Sequence, residues 1–178
     1  MTDETTPEIP IDAPTEERLA AAVAAFTEEG VVRRAIELVA GYNAGDDFLL
    51  YVGGKHAQGL LNGAPPLYWP ELWGTRALLY VWDDSATEAV GAGLQNQAWR
   101  VREMAARVTA ARELPFADVL GELLTDEVAR VRASAARALG AVGTTEHLES
   151  LKPLLKDPEI DVRRGAQQGL DALRARLG

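Results

Sequence analysis

Residues 126–142 read DEVARVRASAARALGAV, a short acidic turn followed by one helix. Val128, Val131, Ala135, Ala138, Leu139 and Val142 recur at spacings of three and four, the apolar stripe of a 3.6-residue period. A second signal crosses the first. Asp126 precedes Arg132 by six residues, and the same spacing separates Asn96 from Arg102 and Asp157 from Arg163. Aligned on these pairs, Val101, Val131 and Val162 fall into register at separations of 30 and 31 residues. Ala105, Ala135 and Ala166 follow in the same frame. A fixed period of this length, with a short and a longer helix per unit, predicts stacked helix pairs.

The frame extends in both directions. On the C-terminal side, TEHLESLKPLL and DPEIDVRRGAQQGLDALRARLG make a unit over 145–177, its first helix capped by Thr145. PFADVLGELL completes the unit 115–142, and SATEAVGAGLQ with AWRVREMAARVTAAR makes the unit 85–112. Leu72 and Trp73 take the same register 29 residues before Val101 and Arg102, so residues 16–84 are expected to be helical, with a degenerate repeat over about 55–82. Within that region one helix over 16–30 ends at Gly30 and a second covers 31–42. A buried turn of helix follows at 48–52, because the chain offers no partner for a strand there. Pro65 and Pro66 break the chain before a helix over 68–82, whose first turn tolerates Pro70. Residues 1–15, rich in Thr, Pro and acids, read as a disordered acidic tail.

These residues resemble HEAT repeats, particularly the short bacterial type, whose motif is D-P-x-[VI]-x-V-R-x-x-A. DPEIDVRRGA fits it closely, and TDEVARVRASA and NQAWRVREMA fit it loosely. The resemblance implies an all-α fold, a right-handed α-solenoid degenerate at its N-terminal end. It also implies a hydrogen-bonded ladder between neighbouring units, here Asn96, Asp126 and Asp157 with Arg102, Arg132 and Arg163. The residue chemistry agrees: an Arg stem lying along an apolar helix needs an acceptor for its head, and a carboxylate at each turn supplies one. In this family the longer helices line the concave face, and the usual expectation is a protein-binding scaffold. Some HEAT-like solenoids are instead DNA glycosylases, for which Trp69, Trp73, Trp99, Asp83, Arg100 and Arg107 form the pool of candidate groove residues. Others resemble phycobilin lyase subunits.

Composition limits these options. With no cysteine in 178 residues, disulfides, thiolate nucleophiles and zinc–cysteine sites are excluded. No apolar run is long enough for a transmembrane helix, and the N-terminus lacks the basic and apolar regions of a signal peptide, so a cytoplasmic location is expected. The net charge of −9 is uneven. Residues 1–93 carry 5 basic and 15 acidic side chains, whereas residues 94–178 carry 13 and 12. The acidic total argues against unaided nucleic-acid binding, yet a local basic stripe remains available in the second half.

Helical spacing places Arg100 and Arg107 on the polar face of one long helix and Arg130 and Arg137 on that of the next, with Arg164 one residue past the ladder. Such a stripe suits an acidic peptide or a phosphate; it is equally a solvated face balanced by Glu103, Glu127 and Asp161. The aromatics at 68–82, above all Trp69 and Trp73, read either as a partner-binding anchor or as filling for the degenerate end of the solenoid. Trp99, equivalent to Ala129 and Ile160, is expected in the core. Catalytic signals are thin. VGGKHAQG lacks the phosphate-loop spacing, His56 has no identifiable partner, and His147 and His56 fall in separate units. No cofactor or metal ion is called for. The sequence points to a monomeric or weakly dimeric protein-binding scaffold.

Overall fold

The computed structural model describes residues 8–178. The chain divides into two compact units, one ending at Asp83 and the other covering Asp84–Gly178. Every regular element among the described residues is helical.

The first unit begins with α1, Thr15–Val39, which is broken at Thr27. Thr27 has φ 66° and ψ 164°, a backbone region that suits glycine and strains a β-branched residue. Its Oγ1 accepts the Gly30 N–H at 3.2 Å and so caps the second segment. The division into two helices is as expected, but it falls at Thr27, and Gly30 lies inside the second segment. Next come α2 (Asp46–Gly53), α3 (Lys55–Leu61) and α4 (Trp69–Ala77). The helix expected over 68–82 thus stops at Ala77, where Leu78, Leu79 and Tyr80 close a turn. Helix α1 packs on α2 and α4 around Leu19, Val31, Val32, Leu38, Phe48, Val52 and Trp73.

Residues 1–7 of the expected disordered tail lie outside the described residues. Residues 8–14 depart from that expectation. Residues 11–13 form a turn, Arg18 Nη1 donates to the Ala13 carbonyl at 2.6 Å, and Asp12 pairs with Lys55 at 2.5 Å. Arg18 is buried and also donates to the Tyr51 carbonyl at 2.9 Å, at the C-terminal end of α2, where a cation meets the helix dipole.

The second unit is three helix pairs, α5 (Thr87–Gly93) with α6 (Trp99–Arg112), α7 (Ala117–Leu123) with α8 (Ala129–Val142), and α9 (Thr145–Leu151) with α10 (Ile160–Leu177). A 3-10 helix over Lys152–Lys156 continues α9. The longer helices stack as a layer, α6 on α8 and α8 on α10. Val101, Val131, Val162, Ala105, Ala135 and Ala166 are all fully buried, so the repeated positions are the ones that fuse the layer. Thr144, not Thr145, caps α9: its N–H donates to His147 Nδ1 at 3.0 Å, so a buried histidine occupies the place a glutamate usually fills in a capping box.

Candidate functional site

The ladder has a definite geometry. Each aspartate first fixes its own turn, Asp126 Oδ1 accepting the Val128 N–H and Asp157 Oδ1 the Glu159 N–H, both at 2.9 Å. Each arginine then reaches two ways. Arg132 Nη1 donates to the Asp126 and Glu127 carbonyls of its own unit. Its Nε and Nη2 grip Asp157 of the next unit at 2.9 and 3.2 Å. Arg102 repeats the pattern, donating to the Asn96 and Gln97 carbonyls and gripping Asp126 at 2.9 and 3.1 Å. The sixfold spacing therefore records an arginine bound to a backbone carbonyl, whereas the ion pair crosses to the following unit. The Arg132 guanidinium holds the Asp157 carboxyl below the usual carboxylate range. Arg163 keeps the local half of the pattern, bonding the Asp157 and Pro158 carbonyls at 2.7 and 2.9 Å.

Outside the ladder, the longer helices present a second set of side chains. Trp99 is the first residue of α6 and is half-buried, not part of the core as its register suggested. The Arg100 guanidinium lies 4.3 Å from its ring centroid and that of Arg130 lies 5.6 Å away, distances at which the ring face attracts cations. The misreading has a physical cause. Trp99, Ala129 and Ile160 each begin a long helix, and Ile160 is 53% exposed, so this column faces outward. Two adjacent arginine positions, 100 and 130, were the available signal.

Part of the basic stripe is neutralised across units. Arg130 pairs with Glu103 at 3.3 Å, and Arg137 pairs with Asp161 at 2.6 Å and donates to Gln168 at 2.8 Å. The Arg137 hydrogen bond is the main cause holding the Asp161 carboxyl below its ordinary range, and Arg130 and Arg164 add to it. Of these three arginines, Arg137 makes the direct contact with the carboxylate. Glu127 offers the ladder only its carbonyl. Arg107 and Arg164, both exposed, form no ion pair among the described residues.

In the first unit, the aromatic group divides. Trp73 is 3% exposed, and a Cβ placed on Gly53 would lie 2.5 Å from its ring. It is core, and direct contact with a partner is closed to it. Trp69 stays half-buried, with the exposed His56 ring 4.4 Å from its own and Tyr68 at 5.0 Å. Arg18 and Arg76, which no sequence motif marks, both donate to the Val52 carbonyl. Burial is the first cause lowering both guanidinium pKa values, and Arg18 lowers that of Arg76 further. Arg76 donates to the Val52 carbonyl at 2.8 Å, while its buried Nε has no acceptor among the described residues. Among the described residues no three His, Asp or Glu side chains gather as a metal site, and no helix is long and apolar enough to cross a membrane.

The second unit, three helix pairs joined by an Asp–Arg ladder, is a repeat solenoid. Residues 87–171 match the family model of HEAT repeats. A crystal structure of an engineered protein from the Northeast Structural Genomics Consortium is similar over 93% of this chain and 86% of its own. It has a TM-score of 0.51 and 20% sequence identity, a likeness that speaks to the fold alone. No curated protein matches the sequence.

Proposed function

We propose that this chain is a cytoplasmic, non-catalytic protein-interaction scaffold, and that the layer of longer helices in its HEAT unit binds an acidic segment of another protein. The observation that carries this reading is the Trp99 ring with the Arg100 and Arg130 guanidinium groups over it, on the same layer as the Arg137–Asp161 pair and the exposed Arg164. Aromatic and arginine side chains are where binding energy concentrates, and a half-buried tryptophan bordered by guanidinium groups fits an apolar residue flanked by carboxylates. Arg107 extends the cationic surface. The ladder arginines are spoken for by backbone and carboxylate, so their role is structural. Trp69 supplies a separate aromatic surface on the first unit; Trp73 does not.

A repeat fold suits this task, because its core lies between units and leaves the long-helix surface open to variation. Affinity capture from native extract, run beside Arg107→Glu/Arg164→Glu and Trp99→Ala, tests the reading. Specific partners recovered by the parent and lost by both variants support it. Equal recovery by all three forms removes this surface from the account.

A further inference from the structure

The first unit carries a pocket of about 410 Å³ between the end of α1, the start of α2 and the α3–α4 connection, large enough to take up one or two side chains. Buried Leu38 lies on it, together with the partly covered Leu49 and Leu60. Its rim is apolar and open: Tyr42 is 71% exposed, Leu67 69% and Leu61 40%. These are three of the seven large hydrophobic side chains exposed among the described residues, gathered at one place, which marks an interaction patch more than scattered surface leucines would.

Two further observations say what fits. Leu67 holds φ at 47°, a left-handed conformation that strains a leucine. The strained backbone follows Pro65 and Pro66 and turns an apolar side chain outward, where burial by the protein itself returns nothing. Strain of this kind gathers at binding sites. The charge on the pocket's lining is of one sign. Its lining includes Asp46 and Glu71 and no Lys, Arg or His. Asp46 is exposed, and Glu71 Oε1 lies 3.6 Å from where a Cβ on Gly41, another lining residue, would stand. Residues 1–83 as a whole carry 5 basic and 13 acidic side chains.

We infer that this pocket receives a basic amphipathic segment of a partner protein, one large apolar side chain entering between Tyr42, Leu61 and Leu67 while flanking Lys or Arg residues meet Asp46 and Glu71. The inference stands on the first unit alone and does not depend on the reading of Trp99. The chain's own N-terminal MTDETTP is acidic and has the wrong sign to fill the pocket.

The test uses the full chain and a labelled Lys/Leu helical peptide of about 14 residues with one central Trp, alongside its Glu-for-Lys counterpart, followed by fluorescence anisotropy. The Lys peptide is expected to bind and the Glu peptide to fail. Asp46→Lys should weaken binding by about tenfold, whereas Glu28→Lys, with the same charge change away from the pocket lining, should leave it within about twofold. Leu67→Gly removes the side chain and suits the backbone, so it should weaken binding while the melting temperature holds or rises. Equal weakening by Asp46→Lys and Glu28→Lys would overturn the inference as general attraction to an acidic protein. No binding of the Lys peptide up to about 1 mM would also overturn it. Octylammonium binding as tightly as the peptide would replace it with a small-molecule site. A micromolar dimer abolished by Asp46→Lys would assign the pocket to a second copy of the chain.

Discussion

Arg132 joins three parts of the chain, its own helix, the carbonyl of Asp126 and the carboxylate of Asp157. Truncating it strips Asp157 of its guanidinium and two carbonyls of a donor, so Arg132→Ala should lower stability by about 1–3 kcal/mol in thermal or urea unfolding. The effect has a pH signature. Asp157 is held below its ordinary pKa of 3.8 in the folded chain, so its contribution is complete above that value and is lost as pH falls through the lower folded one. The gap in melting temperature between parent and Arg132→Ala should therefore be wide at neutral pH and close in strong acid. A gap that stays constant to about pH 2 would show that the lost stability comes from packing of the arginine stem, not from the ion pair. Thr27 offers a second test at this scale. Thr27→Gly relieves a strained φ and gives up one cap, for an expected gain of about 1 kcal/mol, whereas Thr27→Ala loses the cap and keeps the strain. A lower denaturation midpoint for the glycine variant would contradict the strain.

At the scale of elements, α8 and α10 approach closely because small residues face each other. A Cβ on Gly169 would stand 2.1 Å from the Ala136 carbonyl oxygen, and one on Gly165 would stand 2.8 Å from that of Ala133. Backbone cannot yield there as a flexible side chain would. Gly169→Ala should therefore destabilise the unit by about 1–3 kcal/mol, although alanine is the better helix former by about 1 kcal/mol. A raised melting temperature would mean that the helices do not lie so near. The layer of long helices was legible in the sequence because its two signals repeat: the 3.6-residue period fixes which face of α6, α8 and α10 is buried, and Val101, Val131 and Val162 fix their register. The crossing of Asp126 to Arg102 was less legible, since spacing within a unit cannot show which neighbouring unit supplies the charge. The break at Thr27 has no local signature, because a threonine in a left-handed conformation is imposed by the packing of the two segments it joins. The roles of Arg18 and Trp99 depend on carbonyls and guanidinium groups from distant parts of the chain, which no pattern along one helix records.

For the whole molecule, a solenoid needs a polar surface where its repeats stop. On α10 the residues Asp161, Arg164, Gln167, Gln168, Asp171 and Arg174 are exposed, while Val162, Ala166, Leu170 and Leu173 are buried, and the helix packs on α8 and α9. With this face closed and a net charge of −9, the chain is expected to be monomeric at micromolar concentration in light scattering; a stable higher oligomer would show that the end is not closed. The acidic total and the basic stripe are compatible because charge is uneven along the chain: residues 94–178 carry 13 basic and 12 acidic side chains. The most direct test is the affinity of a captured partner for the parent chain and for Arg107→Glu/Arg164→Glu, measured by calorimetry with melting temperatures recorded beside it. The account predicts a loss of at least about tenfold in affinity, smaller at high salt, with the melting temperature unchanged. Equal affinity for the two forms would contradict it.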